Sequence, residues 1–188
     1  ARRSRSEAFI ASAAAEWDAS VESLYGPRAD LGAALALLEP TLVVGDLGCG
    51  TGSLALALAP HVAHVHAIDG SAAMLDAAQS RLGGLMNVTV AAGSLEALPL
   101  HGESIDVAVL MLVLHHVAEP SRVLRDARRV LRPGGRLLIT DMIAHEREEY
   151  RQQMGHVWLG FDERSLRGWL SKAGFRTMRY TVLPARPA

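Results

Sequence analysis

Val43-Val44-Gly45-Asp46-Leu47-Gly48-Cys49-Gly50-Thr51-Gly52 constrains this chain more than any other stretch. An apolar run ends in an acid, and glycines follow at alternate positions, Gly48, Gly50 and Gly52. Helix-favouring residues come at once, Ser53-Leu54-Ala55-Leu56-Ala57-Leu58-Ala59. A buried strand that feeds a glycine turn and then a helix is the front half of a nucleotide-binding βαβ unit. Glycine lacks a Cβ, so the backbone can approach a ligand closely and take φ > 0 where the turn needs it.

The spacing separates the possible ligands. A P-loop needs lysine directly after its last glycine, to reach the phosphates. The single lysine of the chain is Lys172, far away. A dinucleotide turn needs Gly-x-Gly-x-x-Gly, but the third position, counted from Gly48, is Ser53, and the extra glycine comes one residue early at Gly52. The pattern is Gly-x-Gly-x-Gly, which taken alone also suits a tight strand–helix turn with no ligand. A second strand-like run, Val62 to Ile68, ends in Asp69, 17 residues past Gly52. An acid at that place in such folds, about 20 residues after the turn, accepts hydrogen bonds from ribose hydroxyls. The competing reading of Asp69 is an acid at the N-terminus of the next helix, Ser71 to Leu82, with Ser71 as its N-cap.

The rest of the chain alternates strands and helices. Ser6 to Leu24 reads as a helix, with Phe9, Ile10, Ala13, Trp17, Val21 and Leu24 near a 3.6 period. Tyr25-Gly26-Pro27 breaks it, and Asp30 to Leu38 is a second helix closed by Pro40. Strands are expected at Leu42–Leu47, Val62–Ile68, Asn87–Ala91, Ile105–Leu112, Arg136–Thr140 and Phe175–Leu183. Helices are expected at Ser53–Ala59, Ser71–Leu82, Pro120–Leu131 and Glu163–Ala173, with Pro133-Gly134-Gly135 as a stop and turn. This rhythm predicts an α/β fold, a Rossmann-like doubly wound and mostly parallel sheet with helices on both faces. Residues 1–40 are a helical lead-in or lid, residues 41–188 the Rossmann-like body, and the whole is one domain.

With 188 residues, 49% of them apolar, the chain can bury a real core. A formal net charge of −1 gives no electrostatic case for nucleic acid or membrane as the main partner. Cys49 is the sole cysteine, which excludes internal disulfides and multi-cysteine metal sites. No apolar run reaches membrane-spanning length, and Ala1-Arg2-Arg3-Ser4-Arg5 is not followed by a signal-peptide core. A cytoplasmic location is the default expectation. The chain does not begin with Met, and it is expected to be a processed or excised piece of a longer protein.

From about residue 41 to 183 the body resembles the class I S-adenosylmethionine (SAM) methyltransferases. Besides Gly48-Cys49-Gly50-Thr51-Gly52 and Asp69, the resemblance rests on Ala92-Gly93-Ser94-Leu95-Glu96-Ala97-Leu98-Pro99 and on Ser104-Ile105-Asp106 leading to Leu114-His115-His116-Val117. Val130-Leu131-Arg132-Pro133-Gly134-Gly135 completes it. The resemblance implies SAM as cofactor and S-adenosylhomocysteine as product. It implies that the glycine turn, Asp46 through Gly52, cradles the methionine part, and that Asp69, with Gly70 beside it, binds the ribose. Ala72, Ala73 and Met74 then lie near the adenine, and the Leu95 N–H faces an adenine ring nitrogen. Leu110 and Met111 lie under the sulfonium. Apart from the resemblance, the rings of Trp17 and Tyr25 suit a lid facing the sulfonium cation, the alternatives being core packing for Trp17 and a plain loop position for Tyr25.

Two departures stand out. The family places Gly-Asp before its Leu-Pro loop, and here the pair is Gly93-Ser94, an acceptor without a full charge, so adenine binding is expected to be weaker. The family's sheet also ends in a seventh, antiparallel strand. This sequence stops at Leu183-Pro184-Ala185-Arg186-Pro187-Ala188, so that strand is expected to be missing or supplied by a partner. Tyr25-Gly26-Pro27-Arg28 and Val157-Trp158-Leu159-Gly160-Phe161 resemble a narrower subgroup, in which the methyltransferase domain follows a winged-helix DNA-binding domain of the ArsR type. An attached DNA-binding domain or a homodimer is the partnership that this implies.

Methyl transfer needs an aligned acceptor and, where the acceptor carries a proton, a base. His115 and His116 follow strand four and fit that role; the alternative is a structural pair that caps the strand. Asp141, His145 and Glu146 are further candidates for the acceptor pocket. His64 and His66 share a face of strand two near His61, but lack the convergent companions of a metal site, and no metal is expected. Arsenite methylation would need several thiolates, and nucleic-acid methylation an Asn/Asp-Pro-Pro-Tyr type of motif; neither is present. The expected function is methyl transfer to a small-molecule acceptor. The alternative is a module that senses SAM or S-adenosylhomocysteine without turnover.

Overall fold

The computed structural model describes Ser23 and residues 29–184. Apart from Ser23, the expected first helix lies outside the described residues, and so do Trp17 and Tyr25. The chain divides between Glu39 and Pro40 into two units. In the first, α1 spans Ala29–Leu35.

The second unit is built on a five-stranded parallel sheet in the order β3-β2-β1-β4-β5. Its strands are β1 (Val43–Leu47), β2 (His64–Asp69), β3 (Val88–Ala92), β4 (Ile105–Met111) and β5 (Leu131–Thr140). Helices α2 (Ser53–Leu58), α3 (Ala72–Leu82) and α4 (Pro120–Val130) make the crossovers, and α5 (Glu149–Met154) and α6 (Glu163–Lys172) follow the sheet. The strand order reverses between β1 and β4. In open parallel sheets that reversal leaves a crevice beyond the carboxyl ends of the strands, where ligands bind.

Both central strands are apolar because both their faces are covered. Val44 and Leu47 of β1 and Ile105, Ala108 and Leu110 of β4 are almost wholly buried. In α4, Val123, Leu124, Ala127 and Val130 fall on one helical face and are fully buried, while Arg125 and Arg128 lie off it. Each fully buried Leu or Val there contributes roughly 1.5–3 kcal/mol relative to exposure. Trp158, Phe161 and Trp169 extend this core, the two indoles meeting edge to face at 5.5 Å.

Most predicted elements appear within a residue or two, with three differences. The Pro133-Gly134-Gly135 turn is an excursion inside a longer β5: Ile105 pairs with Leu131 and Val107 with Arg136, and Gly134 takes φ +82° in between. The expected sixth strand is absent. Residues 175–184 have no regular structure. Phe175 packs on the core and its N–H donates to the Leu170 carbonyl at 3.0 Å, but Val182 and Leu183 are exposed. Apolar alternation does not make a strand without a ladder of backbone bonds. Finally, α5 and a 3₁₀ turn at Leu114–His116 arise where no element was expected.

Asp46 joins β1 to α2. It is buried, and its Oδ2 accepts the Ala55 N–H at 3.2 Å, one of the free donors in the first turn of α2. Gly52, at the N-cap, has no side chain to do this. Burial pushes the Asp46 carboxyl up to about 6, against the pull of the Ala55 N–H, and the charge of Asp69 adds to the rise. A raised carboxyl means that the folded chain holds a proton the unfolded chain has released. The cost of the buried charge is therefore fully present above about pH 6 and is relieved as pH falls toward the unfolded value near 4. Asp46→Asn keeps an acceptor for Ala55 without the charge. In urea denaturation its stability relative to the parent should be greatest near about pH 8 and shrink by about pH 5; a pH-independent difference contradicts this assignment.

Candidate functional site

The glycine turn is bolted to the end of β2. The N–H groups of Gly48 and Cys49 both donate to the Ile68 carbonyl, at 2.8 and 2.9 Å. The Asp69 carboxylate accepts from the Gly50 N–H through Oδ2 and from the Ser71 N–H through Oδ1, each at 2.8 Å. One side chain thus ties the turn after β1 to the start of α3. Asp69 lines the cleft and also stands at the start of the helix, where its Oδ1 accepts the Ser71 N–H.

The three glycines have different reasons to be glycine. All take positive φ. A Cβ on Gly48 would lie 2.4 Å from Val113 Cγ2, and one on Gly52 would lie 2.6 Å from Leu82 Cδ1. Those two let the turn sit against β4 and let α2 close on α3. A Cβ on Gly50 would meet nothing within 4 Å, so its backbone faces open space. Arg81 of α3 holds the outside of the turn, donating to the Thr51 carbonyl, Thr51 Oγ1 and Ser53 Oγ at 3.0, 2.9 and 2.6 Å.

A cleft of about 410 Å³ opens beside this turn. Gly48, Asp69, Gly70, Ser94 and Leu95 line it, as do Glu96, Val113, Val117 and Ala118. The Ser94 loop is held in place from α4. Asp126 accepts the Leu98 N–H at 2.6 Å, and Arg129 donates to the carbonyls of Leu98 and Leu100. Burial raises the Asp126 carboxyl, but its bonds to Arg129 and Leu98 outweigh that and hold it below the usual range. Ser94 Oγ accepts the Glu96 N–H at 3.2 Å.

Other candidates lie around this cleft rather than in its wall. Asp46 is buried beneath the turn. Cys49 is buried too, and burial, with the charges of Asp46 and Asp69, pushes its thiol up to about 12, so it is not a nucleophile near neutral pH. Thr51 is exposed with its polar atoms turned to Arg81, and Gly52 is packed under α3. Met74 is 44% exposed in the first turn of α3. Leu110, expected beside the cofactor, is fully buried in the core cluster, because both faces of β4 are covered; Met111 is half-buried, and Val113 lies in the cleft wall. Tyr25 lies outside the described residues.

His115 and His116 end the 3₁₀ turn that begins just past the cleft residue Val113. His115 is buried, and its Nδ1 lies 2.7 Å from Asp141 Oδ1, which also accepts the Met142 N–H at 2.8 Å. His116 is exposed, with Nδ1 3.3 Å from the Gly155 carbonyl. The segment after β5 folds back over them. Phe161 and Ala144 exchange backbone bonds with Met142 and Phe161 in turn, and the N–H groups of Val157 and Trp158 both donate to the His115 carbonyl at 3.0 Å. Gly160 permits this, since a Cβ there would strike the Ile143 carbonyl. The fold-back brings His156, which is buried, to within 4.3 Å of His115 and 5.2 Å of His116, ring centre to ring centre. Burial and then the neighbouring imidazoles hold His156 below its ordinary value, with Asp141 pulling the other way. Glu146, the remaining polar candidate, is exposed.

Sequence reasoning missed His156 and Glu96. Glu96 was legible as an acid inside the quoted loop. His156 lies 40 positions from His116, and no local pattern connects them.

A family model described as a methyltransferase domain matches residues 45–139, half of the chain. The chain is 47% identical over 98 residues to an uncharacterised 37.1 kDa protein of transposon TN4556 from Streptomyces fradiae, covering 50% of this chain and 28% of that protein. It is 28% identical over 166 residues to a demethylmenaquinone methyltransferase of Clavibacter sepedonicus, covering 74% of this chain and 68% of that one. The crystal structure of YcgJ from Bacillus subtilis superposes with a TM-score of 0.68 at 26% identity, over 76% of this chain and 66% of that one. Strand order, glycine turn and sequence match agree, and the chain belongs to the class I SAM-dependent methyltransferase family.

Proposed function

We propose that this chain transfers the methyl group of SAM to a small-molecule acceptor. One observation carries the reading: the Asp69 carboxylate, bonded to the Gly50 N–H of the glycine turn, lines one cleft with Gly48 and the Ser94–Glu96 loop. A ribose diol suits Asp69, which keeps acceptor capacity beyond its two N–H bonds. The amino-acid end of SAM suits the open backbone at Gly50, and the adenine suits the wall formed by Leu95. Glu96 supplies the charged acceptor for the adenine amino group that Ser94 lacks. The small-molecule acceptor rests on the net charge of −1 and on likeness to a relative named for demethylmenaquinone.

The reaction is an in-line displacement. The acceptor's lone pair forms the new bond to the methyl carbon while the S–CH₃ bond breaks, and its electrons neutralise the sulfonium, leaving S-adenosylhomocysteine. An acceptor that carries a proton gives it to a base. His116 is the exposed member of the pair, and the Gly155 carbonyl, which can only accept, keeps the proton on Nδ1 and the lone pair on Nε2. His115, oriented by Asp141, packs against it, the ring centres 4.1 Å apart.

Asp69→Ala should weaken SAM binding in calorimetry by about tenfold or more, the loss of two hydrogen bonds to a charged group; unchanged affinity contradicts the ribose assignment. His116→Ala should lower turnover by about 10²–10⁴ in a methyl-transfer assay while SAM affinity stays near that of the parent. Equal loss of both, or loss of neither, counts against His116 as base.

A further inference from the structure

The histidines beyond β4 have a geometry that proton transfer alone does not require. His115, His116 and His156 each offer a ring nitrogen, and these nitrogens all lie within 4.8 Å of one another. Two of the three rings have their tautomer set by an acceptor behind them. Asp141 takes the proton of His115 Nδ1, and the Gly155 carbonyl takes that of His116 Nδ1. Both therefore present a bare Nε2. Metal-bound imidazoles show this arrangement, with the far N–H held by a carboxylate or a backbone carbonyl.

The third ring lacks a partner. His156 is 6% exposed, and its Nδ1 is buried with no hydrogen-bond partner. Asp141 Oδ2 is likewise buried and unpartnered. An unpaired buried polar atom costs about 1–3 kcal/mol, so the bare His156 Nδ1 beside two other imidazoles points to a group that satisfies it. His145 has a different part. Its Nδ1 accepts the Arg147 N–H at 3.2 Å, so in the neutral ring Nε2 carries the proton, a donor that is also buried without a partner.

We infer that His115, His116 and His156 form a binding site for a divalent transition-metal ion of the zinc class. Imidazole nitrogens suit zinc, cobalt, nickel and copper and are poor ligands for magnesium or calcium. Tetrahedral bonds of about 2.0–2.1 Å need nitrogens about 3.4 Å apart, so the rings close inward by about an ångström on loading. Three protein ligands leave one position open for water or substrate. With the ion bound, the Nε2 lone pairs of His115 and His116 are engaged, and the pair no longer serves as base. The inference does not rest on the methyl-transfer reading, since metal binding is measured without SAM or acceptor.

The other histidine pair is a built-in control. The His64 and His66 rings lie 4.6 Å apart, centre to centre and tilted, on β2, but His64 Nε2 is committed to Thr89 Oγ1 at 2.9 Å. The full chain, freed of metal by a chelator, is titrated with Zn²⁺ in a calorimeter and with Co²⁺ followed by visible absorption. One equivalent should bind, and Co²⁺ should give the intense spectrum of a four- or five-coordinate ion. His156→Ala and, as a gentler change, His156→Gln should each weaken Zn²⁺ at least about tenfold, as should Asp141→Asn, which disturbs the support of His115. Circular dichroism confirms that the variants are folded; should His156→Ala unfold, His156→Gln and Asp141→Asn decide. His64→Ala should leave binding unchanged. No stoichiometric binding, a weak octahedral cobalt spectrum, affinity undiminished in every folded His156 and Asp141 variant, or loss in His64→Ala overturns the site.

Discussion

The bond between Asp69 and the Gly50 N–H is the interaction on which the cleft depends. Three alternate glycines, all at positive φ, make a turn with few side chains to hold it in shape. Its stiffness comes from neighbours: the Ile68 carbonyl from below, Arg81 from outside and the Asp69 carboxylate from the cleft side. Asp69 also fixes the start of α3 through Ser71. A single carboxylate therefore sets the distance between the glycine turn and the start of α3, the two sides of the cleft's mouth at Asp69. Binding to a site already ordered in this way avoids the entropy of ordering it on arrival.

A second constraint acts beyond β4. The His115 carbonyl accepts two N–H groups from the segment that folds back after β5, and Trp158 donates its indole N–H to the Val117 carbonyl at 3.0 Å. These backbone anchors, together with Gly160, carry His156 and His145 to the 3₁₀ turn. Polar side chains in that region are positioned by main-chain bonding over distances of tens of residues. The cleft and the histidine cluster share the stretch from Val113 to Ala118, which supplies cleft residues at its ends and His115 and His116 between them.

Much of this was legible in the sequence. The glycine turn, Asp69 and the Ser94-Leu95 loop carry local signals, because each follows a strand whose length and hydrophobic run are visible. The strand–helix rhythm gave the parallel sheet for the same reason. What stayed hidden depended on contacts between distant segments. Leu110 belongs to the apolar end of β4, and the elements packed over both faces of that strand bury it. The Phe175–Leu183 run has strand-like residues, yet a strand also needs a ladder, which no composition reveals. The meeting of the His115-His116 pair with His156 and Asp141 arises from the fold-back through Gly160, and a histidine 40 positions from such a pair is ordinarily unrelated to it. Glu96 was visible but overshadowed by the family's preference for an acid two residues earlier.

On the proposed reading the cleft holds an adenosyl sulfur compound rather than a pyrophosphate-bridged one. The dinucleotide turn differs from this one by the placement of one glycine, and Gly52 here is occupied with packing against Leu82. Competition calorimetry on the unmodified chain tests this most directly. SAM and S-adenosylhomocysteine should each bind one site, and NAD in large excess should displace neither. Displacement of SAM by NAD, or tighter binding of NAD alone, would contradict it.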